Sequence, residues 1–196
     1  MEAMAYRGPD AAGSWNDEEG VYLGHRRLSI VDIADGHQPM LTEDASLVLV
    51  FNGEIYNHRE LRRDLESHGF VFRTDHSDTE VLLHGYRKGG RSVVDRLNGM
   101  WAFALWDKVE QTLFLSRDRF GVKPLFFLSN NDQFVFASEL KAFMALPVGA
   151  RPGFDLAMVA RMKNEESIEN TLLDSVKNLN GGCCLLIRHG GLPSIR

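Results

Sequence analysis

Residues 46–55 read SLVLVFNGEI, an almost unbroken apolar run that opens directly onto Asn52, Gly53 and Glu54. Apolar residues without alternation predict a strand buried on both faces. Towards the N-terminus, Val21 to Ile30 predicts a second strand. Towards the C-terminus, Asn57 followed by Glu60 has the form of a capping box for the helix HRELRRDLESHG, whose Leu61 and Leu65 share one face. Gly69 supplies its stop, since glycine tolerates the left-handed closing residue. Phe70 to Thr74 predicts a short strand, and Asp78 to Gly85 and Ser92 to Leu97 predict helices. MWAFALWD, TLFLSRD, PLFFLSN and QFVFASE then predict an antiparallel meander divided by KVEQ, RFGVK and NNDQ. Ser138 to Leu146 and Phe154 to Met162 read as helices, and CCLLIRHGG as a last strand and glycine turn. Helices grouped between antiparallel runs define an α+β fold.

The chain has 196 residues and a net charge of −5, enough for one domain with a buried core. An acidic balance argues against nucleic acid as a partner, because phosphate neutralisation needs a basic face. The apolar runs are strand-sized, so no membrane partner is expected, and MEAMAYRGPD lacks the pattern of a signal peptide. Cys183 and Cys184 are strand neighbours that should point to opposite faces and stay unpaired, which suits a reducing, cytoplasmic setting. No histidine pair has metal-ligand spacing, so no metal is expected.

Four pieces are too polar or too glycine-rich for their surroundings: YRGPD (residues 6–10), RRLSIVD (26–32), FNGEIYNH (51–58) and SDTE (77–80). Taken singly, each has an ordinary reading as a turn, a strand edge or a helix start. Taken together they could hold a zwitterionic amino acid. Gly53 lets backbone approach a ligand closely, and an Asn52 amide beside a backbone N–H meets the needs of an oxyanion hole. An arginine fork suits a carboxylate, and an aspartate suits an ammonium.

The four pieces occur in order ahead of NGMWAFALWD, SRDRFGVKPLFF and ASELKAF. This string resembles the class II glutamine amidotransferase domain of asparagine synthases, from Tyr6 to about Phe143. Related amidotransferases of antibiotic or polysaccharide pathways carry similar segments. The resemblance implies a four-layer αββα sandwich of the N-terminal-nucleophile type, with two antiparallel sheets flanked by helices. It implies glutamine as the ligand. Arg27 would hold the α-carboxylate and Asp78 the α-ammonium. Asn52 and the Gly53 N–H would form the oxyanion hole, Glu54 would be a further contact, and Leu28, Ile30 and Val31 would line the pocket.

The match departs from the family at the start. Members begin Met-Cys-Gly-Ile, and the exposed cysteine is both nucleophile and, through its amine, base. The sequence in hand opens MEAMAYRGPD and has no cysteine before Cys183. Tyr6 also stands where histidine is usual. No Ser-Gly-Gly-x-Asp-Ser loop follows, so ATP and Mg belong to a synthetase domain outside these residues. The expectation is a type 2 amidotransferase domain over 1–196, truncated before its first strands and lacking the synthetase half. It would bind glutamine without hydrolysing it, and would work with a synthetase domain in cis or in trans. A degenerate glutamine-binding or docking module is the alternative. A sheet edge left unpaired by truncation would favour association, including a homodimer.

Overall fold

The computed structural model describes residues 2–18, 20–28, 37–130, 133–155, 171–188 and 194–195. A 3-10 helix at Glu2–Arg7 precedes a hairpin of β1 (Ala11–Asn16) and β2 (Tyr22–Arg27). Then come β3 (Met40–Leu41), β4 (Leu47–Ile55), α1 (His58–Ser67), α2 (Asp78–Gly89) and α3 (Val93–Arg96). The second half holds β5 (Gly99–Asp107), β6 (Thr112–Arg117), β7 (Phe126–Ser129), β8 (Phe134–Ala137), α4 (Leu140–Phe143), β9 (Val176–Asn178), β10 (Cys184–Arg188) and β11 (Ser194–Ile195).

A six-stranded antiparallel sheet has the order β11-β10-β6-β5-β4-β3, and a three-stranded sheet has the order β8-β7-β9. Strand alternation divides their side chains into layers. On β4 and β5, Leu47, Leu49, Phe51, Ile55, Trp101, Phe103 and Leu105 pack against Leu61 and Leu65 of α1 and Val81, Leu82 and Leu83 of α2. The opposite faces, with Val48, Val50, Ala104 and Trp106, meet Phe127 and Phe136 of the smaller sheet. The outer side of that sheet, with Leu128 and Val176, is covered by Leu140 and Phe143 of α4. The result is helices, sheet, sheet, helix: the α+β, four-layer αββα arrangement. The five residues Leu47–Phe51 are all buried, as their unbroken apolarity requires. Cys183 and Cys184 do diverge, Cys184 to the helix-covered core and Cys183 to the core between the sheets.

Several expectations are corrected. The meander is broken, since β5 and β6 pair in one sheet while β7 and β8 pair in the other. The cause is the RFGVK corner. Asp118 is fully buried and accepts N–H groups from Trp101, Phe120, Val122 and Lys123. Arg117 donates to the carbonyls of Lys123, Leu179 and Gly121. This internal network fixes a turn that carries the chain from one sheet to the other. The capping box at Asn57 does not form. Asn57 instead donates to Arg96 O (3.0 Å) and accepts from Asn98 N (2.9 Å), tying α1 to the start of β5. Phe70 to Thr74 is not a strand, because the N–H groups of Arg73 and Thr74 go to the Glu80 carboxylate rather than to a neighbouring strand. The helix expected at Ser138 to Leu146 shortens to α4, and the one at Asp78 to Gly85 lengthens by a turn. Phe154 bridges to Leu173. The rest of the helix expected at Phe154 to Met162, and the glycine turn after Arg188, lie almost wholly outside the described residues.

Candidate functional site

The site is set by the outer edge of β4. Gly53 pairs across the sheet with Trp101. Trp101 directs both backbone groups away from β4: its N–H goes to Asp118 Oδ2 (3.3 Å) and its carbonyl accepts from Asp118 N (2.9 Å). Gly53 and Trp101 are therefore a non-hydrogen-bonded pair, and the Gly53 N–H points outward from the sheet. Its neighbours on that edge confirm the parity. Leu49 pairs with Met40 of β3. Phe51, past the end of β3, donates to Gln38 Oε1 (2.6 Å) and accepts from Gln38 Nε2 (3.0 Å). The Ile55 N–H goes to Asp78 Oδ2 (3.0 Å) and its carbonyl lies 2.8 Å from His58 Nδ1. Among the described residues no hydrogen bond uses the Gly53 N–H, which leaves one outward donor bracketed by two that are closed.

Glycine is required at 53 by space. A Cβ there would collide with the Met100 carbonyl oxygen and lie 2.8 Å from Trp101 Cα. Asn52 alternates to the other face and lines a cavity of about 220 Å³ between the sheets, with Met4, His25, Arg26, Leu125 and Phe136 around it. The structure thus brings together Asn52, Gly53 and, through Ile55, Asp78. Glu54 is exposed, and its charge adds to the rise in the Asp78 pKa. Burial is the main cause of that rise, and the Ile55 N–H opposes it. A half-buried carboxylate of this kind gains most from a cation brought beside it.

Arg27 ends β2 and is 9% exposed. By alternation it shares a face with Leu23, which is in the core between the sheets, and with His25. His25 places Nε2 3.1 Å from the Phe51 carbonyl, and its pKa is lowered mainly by burial, with Arg27 adding to the effect. Leu28 is 55% exposed. Ile30 and Val31 lie outside the described residues. Reading the sequence missed Gln38 and His25, the two side chains that hold the Phe51 carbonyl. Neither belongs to one of the polar motifs, and only the pairing register shows that β4 runs beyond β3. A larger cavity of about 640 Å³ lies between β3 and α2, lined by Arg73, His84 and Arg87, and among the described residues none of the expected ligand-binding ones lines it. Among the described residues no three His, Cys, Asp or Glu side chains are grouped to hold a metal, and no helix is long and apolar enough to cross a membrane.

Two facing sheets between helices, with a backbone donor beside an Asn amide and a half-buried carboxylate two residues along the strand, are the arrangement of an amidotransferase fold. The chain belongs to the glutamine amidotransferase domain family, whose model matches residues 1–195. It is 48% identical over 143 residues to asparagine synthetase [glutamine-hydrolyzing] 1 of Bacillus subtilis, covering 73% of this chain and 22% of that one. It is 42% identical over 207 residues to a putative asparagine synthetase [glutamine-hydrolyzing] of Mycobacterium tuberculosis, covering 98% of this chain and 31% of that one. The chain therefore spans between a fifth and a third of these relatives. Among solved structures, glutamine phosphoribosylpyrophosphate amidotransferase from Bacillus subtilis superposes with a TM-score of 0.64 at 25% identity, over 89% of this chain and 34% of that one. A glutamine aminotransferase class-II domain protein from Silicibacter pomeroyi has a TM-score of 0.52 at 15% identity, over 94% and 89%, and shares the fold.

Proposed function

We propose that this domain binds free glutamine and is the ammonia-supplying part of an asparagine synthase, in which a synthetase domain in cis or in trans uses ATP and Mg to amidate aspartate in the cytoplasm. The observation that carries the reading is the edge of β4. The donor suited to a side-chain amide oxygen, Gly53 N–H, stands two residues from Ile55, whose N–H holds the carboxylate suited to an α-ammonium, Asp78. Arg27, buried on the neighbouring hairpin, supplies the fork for the α-carboxylate. The bound amino acid would lie along the strand edge with its amide oxygen between Gly53 N–H and Asn52.

Residues 1–182 contain no cysteine, so glutamine binding by these residues is tested apart from hydrolysis. The test is calorimetric titration with glutamine. Arg27→Ala and Asp78→Ala should each weaken binding by about 1.5–3 kcal/mol, the worth of a hydrogen bond to a charged group. Arg27→Lys should also weaken it, because an ammonium lacks the planar fork. Folded variants that bind glutamine as the parent does would refute the site. Fusing a segment that begins Cys-Gly-Ile after methionine removal should confer glutaminase activity. In that protein Asn52→Ala should cost about 2.7–4 kcal/mol of transition-state stabilisation.

A further inference from the structure

The edge of β4 is held in register by a side chain doing the work of a strand. β3 covers only Val48 and Leu49. One step on, where a longer β3 would pair with Phe51, the Gln38 carboxamide takes over with both of its functions: Oε1 accepts from Phe51 N at 2.6 Å and Nε2 donates to Phe51 O at 3.0 Å. A primary amide has the donor–acceptor pair of a peptide group, so this is a ladder rung made by a side chain. The Gln38 backbone is brought close by Gly13 of β1, where any Cβ would collide with the Gln38 carbonyl oxygen. Gln38 lies two residues before Met40, so the line of β3 continues past its backbone end.

We infer that Gln38 is a positioning residue for the oxyanion donor Gly53 N–H, an inference that rests on the glutamine reading above. Gly53 has no side chain to anchor it and, among the described residues, no partner strand on its outer side. Inward, β4 is paired with β5 on either side of it, Asn52 with Ala102 and Glu54 with Met100. Outward, its neighbours on the edge are Phe51, held by Gln38 and at its carbonyl also by His25, and Ile55, held by Asp78. Removing the Gln38 rung leaves the Phe51 N–H without its outer partner and its carbonyl on His25 alone, so the outer edge of β4 can tilt at that end and the Gly53 N–H loses its aim at an amide oxygen. The Asp78 end is untouched, so recognition of the α-ammonium persists. Gln38 is therefore specific to the carboxamide of the ligand and contributes nothing to its α-groups.

The distinction is measurable with two probes, glutamine and norvaline, which share the α-groups and differ by a carboxamide against a methyl. In Gln38→Leu, glutamine should bind roughly fivefold more weakly, the worth of one neutral hydrogen bond. Norvaline should bind as it does to the parent, and the Gly53 amide resonance should move. Equal weakening for both ligands would show that Gln38 merely supports the fold, and no weakening would show that it does not aim Gly53; either overturns the inference. If Gln38→Leu does not fold, Gln38→Glu replaces it. That variant keeps the acceptor for Phe51 N and sets a carboxylate against Phe51 O, so the same selective loss is expected at neutral pH, and its absence is equally decisive. A parent that binds neither ligand removes the proposed function and this inference together. A parent that binds glutamine, with variants that bind it unchanged, removes only the inference.

Discussion

Asp78 and Gly53 are the two residues on which the proposed site rests most, and each makes a distinct prediction. Burial raises the Asp78 pKa above its ordinary value. A carboxyl raised in this way adds stability that is complete below its unfolded pKa and is lost as pH rises through the folded one. A ligand ammonium reverses the preference by favouring the ionised form. Glutamine affinity should consequently rise with pH through the Asp78 titration and level off above it. On the acid side it should fall by up to about tenfold per pH unit, with uptake of a proton on ligand release. Calorimetry in buffers of different ionisation enthalpy measures that proton, and Asp78→Asn should abolish it. Gly53→Ala should destabilise by about 1–3 kcal/mol in urea denaturation, because the Cβ must push β4 away from the Met100 carbonyl. At this scale the distinctive residue chemistry of Asn52, Gly53 and Asp78 singled out three positions that the fold brings to one stretch of β4. The sequence was not legible at Gln38 or His25, whose roles follow from where β3 ends.

Local elements explain where the expectations failed. The stretch Phe70 to Thr74 has strand-like residues, yet its N–H groups are taken by one buried carboxylate. Glu80 is 5% exposed and accepts from Arg73 N (2.8 Å), Thr74 N (2.9 Å) and Thr74 Oγ1 (2.6 Å). Desolvation acts to raise its pKa, but the His84 imidazole and the donors of Thr74 and Arg73 outweigh it, and the pKa is lowered to about 2. This carboxyl adds stability above its ordinary pKa that is lost as pH falls towards the folded value. Glu80→Gln should thus cost on the order of 3 kcal/mol at neutral pH, and parent and variant should converge as pH falls from about 4.5 to 2. A constant difference across that range in chemical denaturation would assign Glu80 a packing role instead. The same turn leads into Asp78, so the element that defeated the strand expectation also sets the N-terminus of α2. Asn57 shows the same competition: its side chain satisfies the start of β5 in place of its own helix.

Across the whole molecule, unbroken apolar runs and grouped helices were enough to anticipate an α+β fold built on buried strands, because burial on both faces leaves a strand no polar positions. The two facing sheets between helices were implied by the family resemblance. The division of the meander between the sheets was not legible, since it depends on Asp118 and Arg117 meeting backbone groups distant in sequence. Phe103 lies in the core beneath α1 and α2 and is 2% exposed. Phe103→Ala should cost about 3–5 kcal/mol in urea denaturation. The central claim is that the outer edge of β4 is a glutamine site, and the Gly53 amide reports on it directly. In a two-dimensional amide NMR titration, glutamine should shift the Gly53 resonance saturably together with Ile55, whose N–H is held by Asp78, while norvaline should shift Ile55 and leave Gly53 nearly unmoved. A folded protein whose Gly53 and Ile55 resonances stay in place at millimolar glutamine would contradict the account.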